Sequence, residues 1–267
     1  MKVEVLVATM HQKDHSLIEI MNIQTDAIII NQCDKEEYKE FEHNGRIIKF
    51  ISNKERGLSR SRNLAIRHAT DDICVIADDD IVYENGYESE IIKAYEEIPE
   101  ADIIVFDVSK LNSTQSSMLF GEHPFRMRMR KALRVNSIRI TFKRQSIINK
   151  GIEFNNVFGA GSIHNHGEEN IFIKTCIKKG LKIFYYPYKI ATITHRESTW
   201  FKGYDEKYFY DIGAIYYELF NAFYLPFAIR LLLRKKGQLK GISLPAGINA
   251  IIKGKKEYKK RKVQCIK

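Results

Sequence analysis

The chain has 267 residues, a hydrophobic fraction of 44% and a formal net charge of +10. That is enough to bury one large core, or a core with an appendage, and it excludes a disordered or fibrous chain. Twelve Lys/Arg and a single acid, Glu257, fall within 234–267, so the basicity belongs to a tail and points to an anionic partner there.

The predicted elements alternate from the start. A β-rich run covers 3–8 and a helix is expected over 14–22, with Ser16 near its start. Strands follow at 27–30 and 46–51. Helical spacing of Leu64, Ala65, Ile66 and Ala69 predicts a helix over 59–69. A strand at 73–77, a helix at 87–97 and a strand at 103–108 complete the first part. Strands alternating with helices imply parallel βαβ units. In 111–163 the run Arg126-Met127-Arg128-Met129-Arg130-Lys131 alternates basic and apolar residues, and 138–142 reads as a strand. Phe158-Gly159-Ala160-Gly161-Ser162 is a small-residue loop. A helix is expected over 168–178, with Ile171, Phe172, Thr175 and Cys176 inward and Gly180 just past its end. Short strands at 181–186 and 190–194 follow. The apolar region 212–233 contains Glu218, Asn221, Pro226 and Arg230, which argues against a membrane-spanning helix. The N-terminus reads as a strand, with no signal peptide. Cys33, Cys74, Cys176 and Cys265 form no C-x-x-C pair, as expected of reduced thiols in a cytosolic protein.

Asp78-Asp79-Asp80 ends the apolar run Ile73-Cys74-Val75-Ile76-Ala77. Adjacent carboxylates repel, and a hard divalent cation such as Mg²⁺ or Mn²⁺, shared with substrate phosphates, would relieve that. Strand ends are also where open α/β sheets bind ligands. A metal–nucleotide site is one reading, and a solvated acidic turn is the other.

Gly57-Leu58-Ser59-Arg60-Ser61-Arg62-Asn63, then the strand ending in Asp78-Asp79-Asp80, then Gly167-Glu168-Glu169-Asn170 together resemble family 2 glycosyltransferases. The resemblance covers about 3–200. It implies an α/β GT-A fold: a Rossmann-like, mostly parallel sheet flanked by helices. Residues 1–110 would form the nucleotide-binding half and 111–200 the acceptor half, followed by a helical, basic extension over 201–267. It implies a metal-dependent, inverting transferase that moves a sugar from a nucleotide-sugar, UDP favoured, to a glycan or lipid-linked acceptor in cell-surface polysaccharide synthesis.

By the same resemblance, Thr9 and His11 lie at the nucleobase. Asn31, with Asp34 just beyond, stands where the family reads uracil with an Asp; a turn-forming loop is the alternative. Arg62, Asp78 and Asp79 attend the nucleotide. Asp78 and Asp80 hold Mn²⁺ or Mg²⁺, with His195 near the metal or diphosphate. Glu169 matches the catalytic base, but the pair here is Glu-Glu instead of the commoner Glu-Asp, which leaves Glu168 as the other candidate; both could instead cap the helix. Asn63 is expected to fix a loop. His164 and His166 with Glu168 lack a clear fourth zinc ligand.

Tyr208, Tyr216, Tyr217, Phe220, Phe223, Tyr224 and Phe227, beside two basic blocks, suit an anionic membrane surface. The expected location is cytoplasmic, peripheral on the inner face of the membrane; the alternative is a packing helix with a solvated basic end. No nucleic-acid-binding signature is present. Two rival functions are a nucleotidylyltransferase, disfavoured because Ala8-Thr9-Met10-His11-Gln12 has no Gly-rich loop, and a basic scaffolding protein, which leaves the acidic motifs unexplained.

Overall fold

A computed structural model describes residues 1–110, 118–194 and 201–264. His195 and Cys265, both singled out above, lie outside them. The first elements are β1 (Val3–Met10), α1 (Leu17–Ile20), β2 (Asp26–Gln32), β3 (Glu37–His43), β4 (Arg46–Asn53), α2 (Leu58–His68), β5 (Ile73–Asp78), β6 (Ile81–Tyr83), α3 (Tyr87–Glu97) and β7 (Ile103–Lys110). Then come β8 (Phe125–Arg126), α4 (Met129–Ala132), β9 (Ile140–Lys143), α5 (Arg144–Asn149), α6 (Glu168–Lys178) and β10 (Ile183–Ile193), followed by α7 (Glu206–Phe220), α8 (Tyr224–Arg234) and α9 (Leu244–Gln264).

Among the described residues the strands form one sheet in the order β3-β4-β2-β1-β5-β9-β7-β10-β6, with β8 on β10. β4, β2, β1 and β5 are parallel, as are β7 and β10, while β9 runs antiparallel between β5 and β7. Four strands of the first part, β4, β2, β1 and β5, thus form the expected parallel set, β3 and β6 pair antiparallel, and the sheet as a whole is mixed. The two-residue period of the strands divides the core. Val5, Val7, Ile29, Val75 and Phe106 face α1 and α3, whereas Leu6, Ile28, Ile30, Ile76 and Val105 face α2 and α6.

Several elements differ from expectation. The first helix is a single turn, because the Asp14 carboxylate accepts the Ser16 N–H and hydroxyl ahead of it and Asn22 is left-handed (φ 51°) after it. The unexpected β3 pairs with β4 through Asn44-Gly45, both at positive φ, the geometry of a two-residue hairpin. The strand predicted at 138–142 begins with a 3₁₀ turn, Ser137–Arg139. The two strands predicted after 181 are one, with register shifts between Tyr185 and Ala191 around Pro187, which has no N–H to donate. Ile173, not Thr175, is buried in α6, because that helix packs on the sheet and also on α7.

The last helices pack on the body. Phe158, Ile171, Ala214, Ile215 and Tyr258 form one cluster joining the loop before α6, α6 itself, α7 and α9. α7 and α9 cross backbone to backbone. A Cβ on Gly213 would lie 2.0 Å from the Ile251 carbonyl oxygen, and one on Gly254 would lie 1.9 Å from that of Tyr210. Glu206–Arg234 is long and apolar enough to cross a membrane by length and composition alone, but it breaks at Asn221 (φ 51°). Of the aromatics assigned above to a membrane surface, Tyr208, Tyr216 and Tyr224 pack against the core of these helices and Tyr217 against the cluster with α6. Phe223 (70%) and Phe227 (44%) stay exposed.

Candidate active site

The parallel register places Thr9 opposite Asn31 and Ala8 opposite Asp78 at the carboxyl edge of the sheet, the side on which such sheets bind ligands. Thr9 Oγ1 donates to Asp79 Oδ2 (2.6 Å) and accepts from Gln12 Nε2 (2.8 Å). The fully buried Asn31 accepts the Gln12 N–H and donates to the Gln12 carbonyl and Ser52 Oγ. In this structure Asn31 therefore holds the loop after β1 and does not offer its amide to a base. His11, exposed and left-handed (φ 56°), sits on that loop. Asp34 is 92% exposed and pairs with Arg56 at 2.6 Å.

Arg62 is the hub. Its side chain is 1% exposed. Nη1 donates to Glu168 Oε1 (2.9 Å), and Nη2 donates to Asp78 Oδ1 (2.8 Å) and Ser137 Oγ (2.8 Å). Burial alone would lower the proton affinity of the guanidinium, but Asp78, Glu168 and Glu169 outweigh it and the net shift is upward. One cation thus faces three carboxylates, and burial of excess charge is costly. Ser137 was not legible as a site residue, because it reaches Arg62 only through the 3₁₀ turn before β9.

The other residues of the α2 motif tie down the segment 154–160. Ser59 Oγ donates to the Phe158 carbonyl, and the Leu58 N–H donates to that of Ala160. Asn63 does fix a loop: it donates to the Phe154 carbonyl and Asn156 and accepts the Phe154 N–H. A Cβ on Gly159 would press on Ser59 Oγ (3.2 Å) and Glu168 (3.4 Å).

α6 opens after Gly167 (φ 90°), where a Cβ would lie 2.9 Å from the Ile215 side chain of α7. Glu168 is 5% exposed and bound to Arg62. Glu169 is half-buried. Burial and then the Glu168 carboxylate raise its proton affinity, partly offset by Arg62. Nearby, His164 Nδ1 bonds Asp211 Oδ1 (2.8 Å), and Asp211 also binds Lys207 and the Asn165 N–H. His166 stacks on Tyr208 at 5.0 Å, and burial pushes it down to about 4. The two histidines are structural partners of α7, a role the sequence did not signal.

For a cation, Asp78 and Asp80 supply hard oxygen donors two residues apart on a turn. That turn is anchored by Thr194, whose N–H and Oγ1 both donate to the Asp80 carbonyl (2.8 Å each). No group of three metal-binding side chains converges among the described residues. Such a partial carboxylate set fits Mg²⁺ or Mn²⁺ completed by substrate phosphates and water, not a closed all-protein cage.

Residues 15–157, more than half of the chain, match the model of glycosyl transferase family 2. No curated protein matches the chain. Among solved structures, S. aureus TarS 1–349 in complex with UDP-GlcNAc aligns with a TM-score of 0.66 at 15% identity, covering 95% of this chain and 81% of that one. The same TarS fragment without ligand gives 0.60 at 13% identity, covering 89% and 72%. A longer TarS chain gives 0.61 at 14% identity, covering 88% of this chain and 43% of its own. At these identities the likeness establishes the GT-A fold, and with the family match the conclusion is that this chain belongs to glycosyl transferase family 2 and is a glycosyltransferase.

Proposed function

We infer that the enzyme transfers a sugar, with inversion and divalent-metal assistance, from a UDP-sugar to a hydroxyl of a glycan or lipid-linked acceptor in cell-surface polysaccharide synthesis. The observation that carries this reading is the bridge made by Arg62, which joins the acidic end of β5 to the acidic start of α6. In this reading the bridge would keep a leaving-group site and a proton acceptor on one edge of the sheet. The TarS complex with UDP-GlcNAc favours UDP, and a UDP-GlcNAc-type donor is the first to test.

In this reading Glu169 is the base. Its half-buried carboxylate with raised proton affinity can take the acceptor hydroxyl proton as that oxygen attacks the anomeric carbon and the bond to the diphosphate breaks. Glu168 is bound to Arg62 and serves to place it. Asp78 and Asp80 would hold Mn²⁺ or Mg²⁺, which supplies neutralisation of the departing diphosphate. Thr9, His11 and Asp79 border the nucleotide, with Asn31 behind them.

Residues 1–200 make up the catalytic unit in this proposal and 201–267 the extension that meets the membrane. α8 and the turn before it leave Phe223, Phe227 and Leu233 exposed beside the exposed Arg230 and Arg234, a composition suited to the anionic inner leaflet. The deciding experiment is a screen of UDP-, GDP- and dTDP-sugars for hydrolysis or thermal stabilisation, with and without Mn²⁺. Metal-dependent stabilisation by UDP-sugars alone is expected. A response to none of them, or turnover undiminished by excess chelator, overturns the reading.

A further inference from the structure

The alternating run Arg126-Met127-Arg128-Met129-Arg130-Lys131 has no part in the active site. It begins in β8, which pairs antiparallel with β10, and the Met127 N–H donates to the Ile183 carbonyl (2.8 Å). Extended backbone points successive side chains to opposite faces. Met127 is accordingly buried, while Arg126 and Arg128 are exposed. Met127 and Met129 floor a groove of about 470 Å³, closed opposite by Ile177, Gly180 and Leu181 at the end of α6.

The rim of this groove formed by β8 and α4 is cationic. Residues 126–134 hold Arg126, Arg128, Arg130, Lys131 and Arg134 and no acid. Arg126 and Arg128 line the groove, and both, with Arg130, are exposed. The far wall is Ile177, Gly180 and Leu181; Lys174 beyond it donates to the Glu218 carbonyl, and Lys179 donates to those of Lys150 and Gly151. Like charges gathered at a concave surface focus a positive potential and raise the local concentration of anions.

The arrangement also bears on the shape of the partner. Arg126 and Arg128 are two residues apart on extended backbone, about 6.6 Å, a spacing suited to a chain with regularly repeated anions. A bilayer is flat and meets a groove poorly. Single-stranded nucleic acid relies on free aromatic faces for stacking. Here Lys131 lies 3.9 Å from the Phe125 ring centroid and Arg134 lies 5.3 Å from that of Phe120, so those faces are covered.

We propose that the groove between β8–α4 and the C-terminal end of α6 binds a linear polyphosphate chain. The eleven residues of α6 separate it from Glu169 by about 16 Å. It is an exosite, and it stands whether or not the assignment of the base is right.

The test measures binding of fluorescently tagged linear polyphosphate to the full chain across a salt series. Substituting Arg126→Gln, Arg128→Gln and Arg130→Gln together should weaken binding at least about tenfold and flatten the slope of log affinity against log salt by about 2. A control triple on α9, Lys256→Gln, Lys259→Gln and Lys260→Gln, makes the same charge change and should cost much less. The pair Arg126→Gln with Arg128→Gln, the two arginines that line the groove, should also weaken binding, and it decides the matter if the arginine triple does not fold. Equal losses from the groove and tail triples overturn the proposal. So does orthophosphate binding as tight as the polymer's, binding to anionic vesicles without binding to polyphosphate, or a single-stranded RNA oligomer binding more tightly than polyphosphate.

Discussion

Arg62 and Glu168, 106 positions apart in the chain, meet at 2.9 Å in a buried ion pair. The same guanidinium holds Asp78 at 2.8 Å. Removing one partner from such a pair leaves an uncompensated buried charge and typically costs about 3–5 kcal/mol. Arg62→Met should therefore destabilise the fold by about that amount and abolish transfer. Arg62→Lys keeps the charge but not the fork, so it should retain more stability than activity. Denaturant melts and donor turnover on both variants check this; an Arg62→Met protein as stable as wild type contradicts it.

Glu169→Gln should lower kcat by about 10²–10⁴-fold with little change in donor affinity. If Glu168→Gln shows that loss and Glu169→Gln does not, the neighbouring residue is the base.

The pH behaviour of Glu169 has a definite sign. Its folded-state proton affinity is raised above the ordinary carboxyl value of 4.5, so the folded chain holds this proton more tightly than the unfolded chain. The fold carries no penalty from it below that value and accrues one as pH rises through the folded value. Relative to wild type, Glu169→Gln should gain stability towards alkaline pH and not at acid pH. The wild-type rate should rise with pH over the same window, because only the ionised carboxylate accepts a proton. Parallel melting curves for the two proteins at every pH would remove Glu169 as the titrating group.

Asp80→Asn should nearly abolish transfer and weaken Mn²⁺-dependent UDP binding without unfolding the chain. Calorimetric titration of UDP with and without Mn²⁺ checks it. Metal-enhanced UDP binding equal to that of wild type would count against Asp80 as a ligand.

Gly213→Ala should cost about 3 kcal/mol or more, since its Cβ would meet the Ile251 carbonyl at 2.0 Å and force α7 from α9. Gly237→Ala, with open space around it, is the matched control. Equal melts for the two variants would show that the helices can part without loss.

Phe223→Ser with Phe227→Ser should release the protein from anionic vesicles and spare donor hydrolysis. Cosedimentation at low and high salt reads this out. Undiminished binding would place the contact in the basic residues alone.

The parallel half of the fold was legible because its strands are short apolar runs and its helices have clean periodicity; α3 and α6 begin and end where expected. β3 was missed because an edge strand reading Glu-Tyr-Lys-Glu-Phe-Glu-His has little apolar alternation, although Asn44-Gly45 marked its hairpin. The acidic motifs and the α2 motif stood out as local patterns. What joins them did not, since Arg62, Ser137 and Glu168 meet only through tertiary packing. Asn31 shows the reverse case: a residue at the expected place whose amide is taken up by the Gln12 backbone.

The contact of Ile215 with Gly167 also orders events during synthesis. Chains emerge from the ribosome N-terminus first at about 5–20 residues per second, so β1 to α3 can assemble long before α7 exists. The turn that carries Glu168 and Glu169 is braced only when α7 arrives, and α7 is itself held by α9 through Gly213 and Gly254. A nascent chain would thus assemble β1 to α3 early and brace the turn at Gly167 only once the residues of α9 are free to dock.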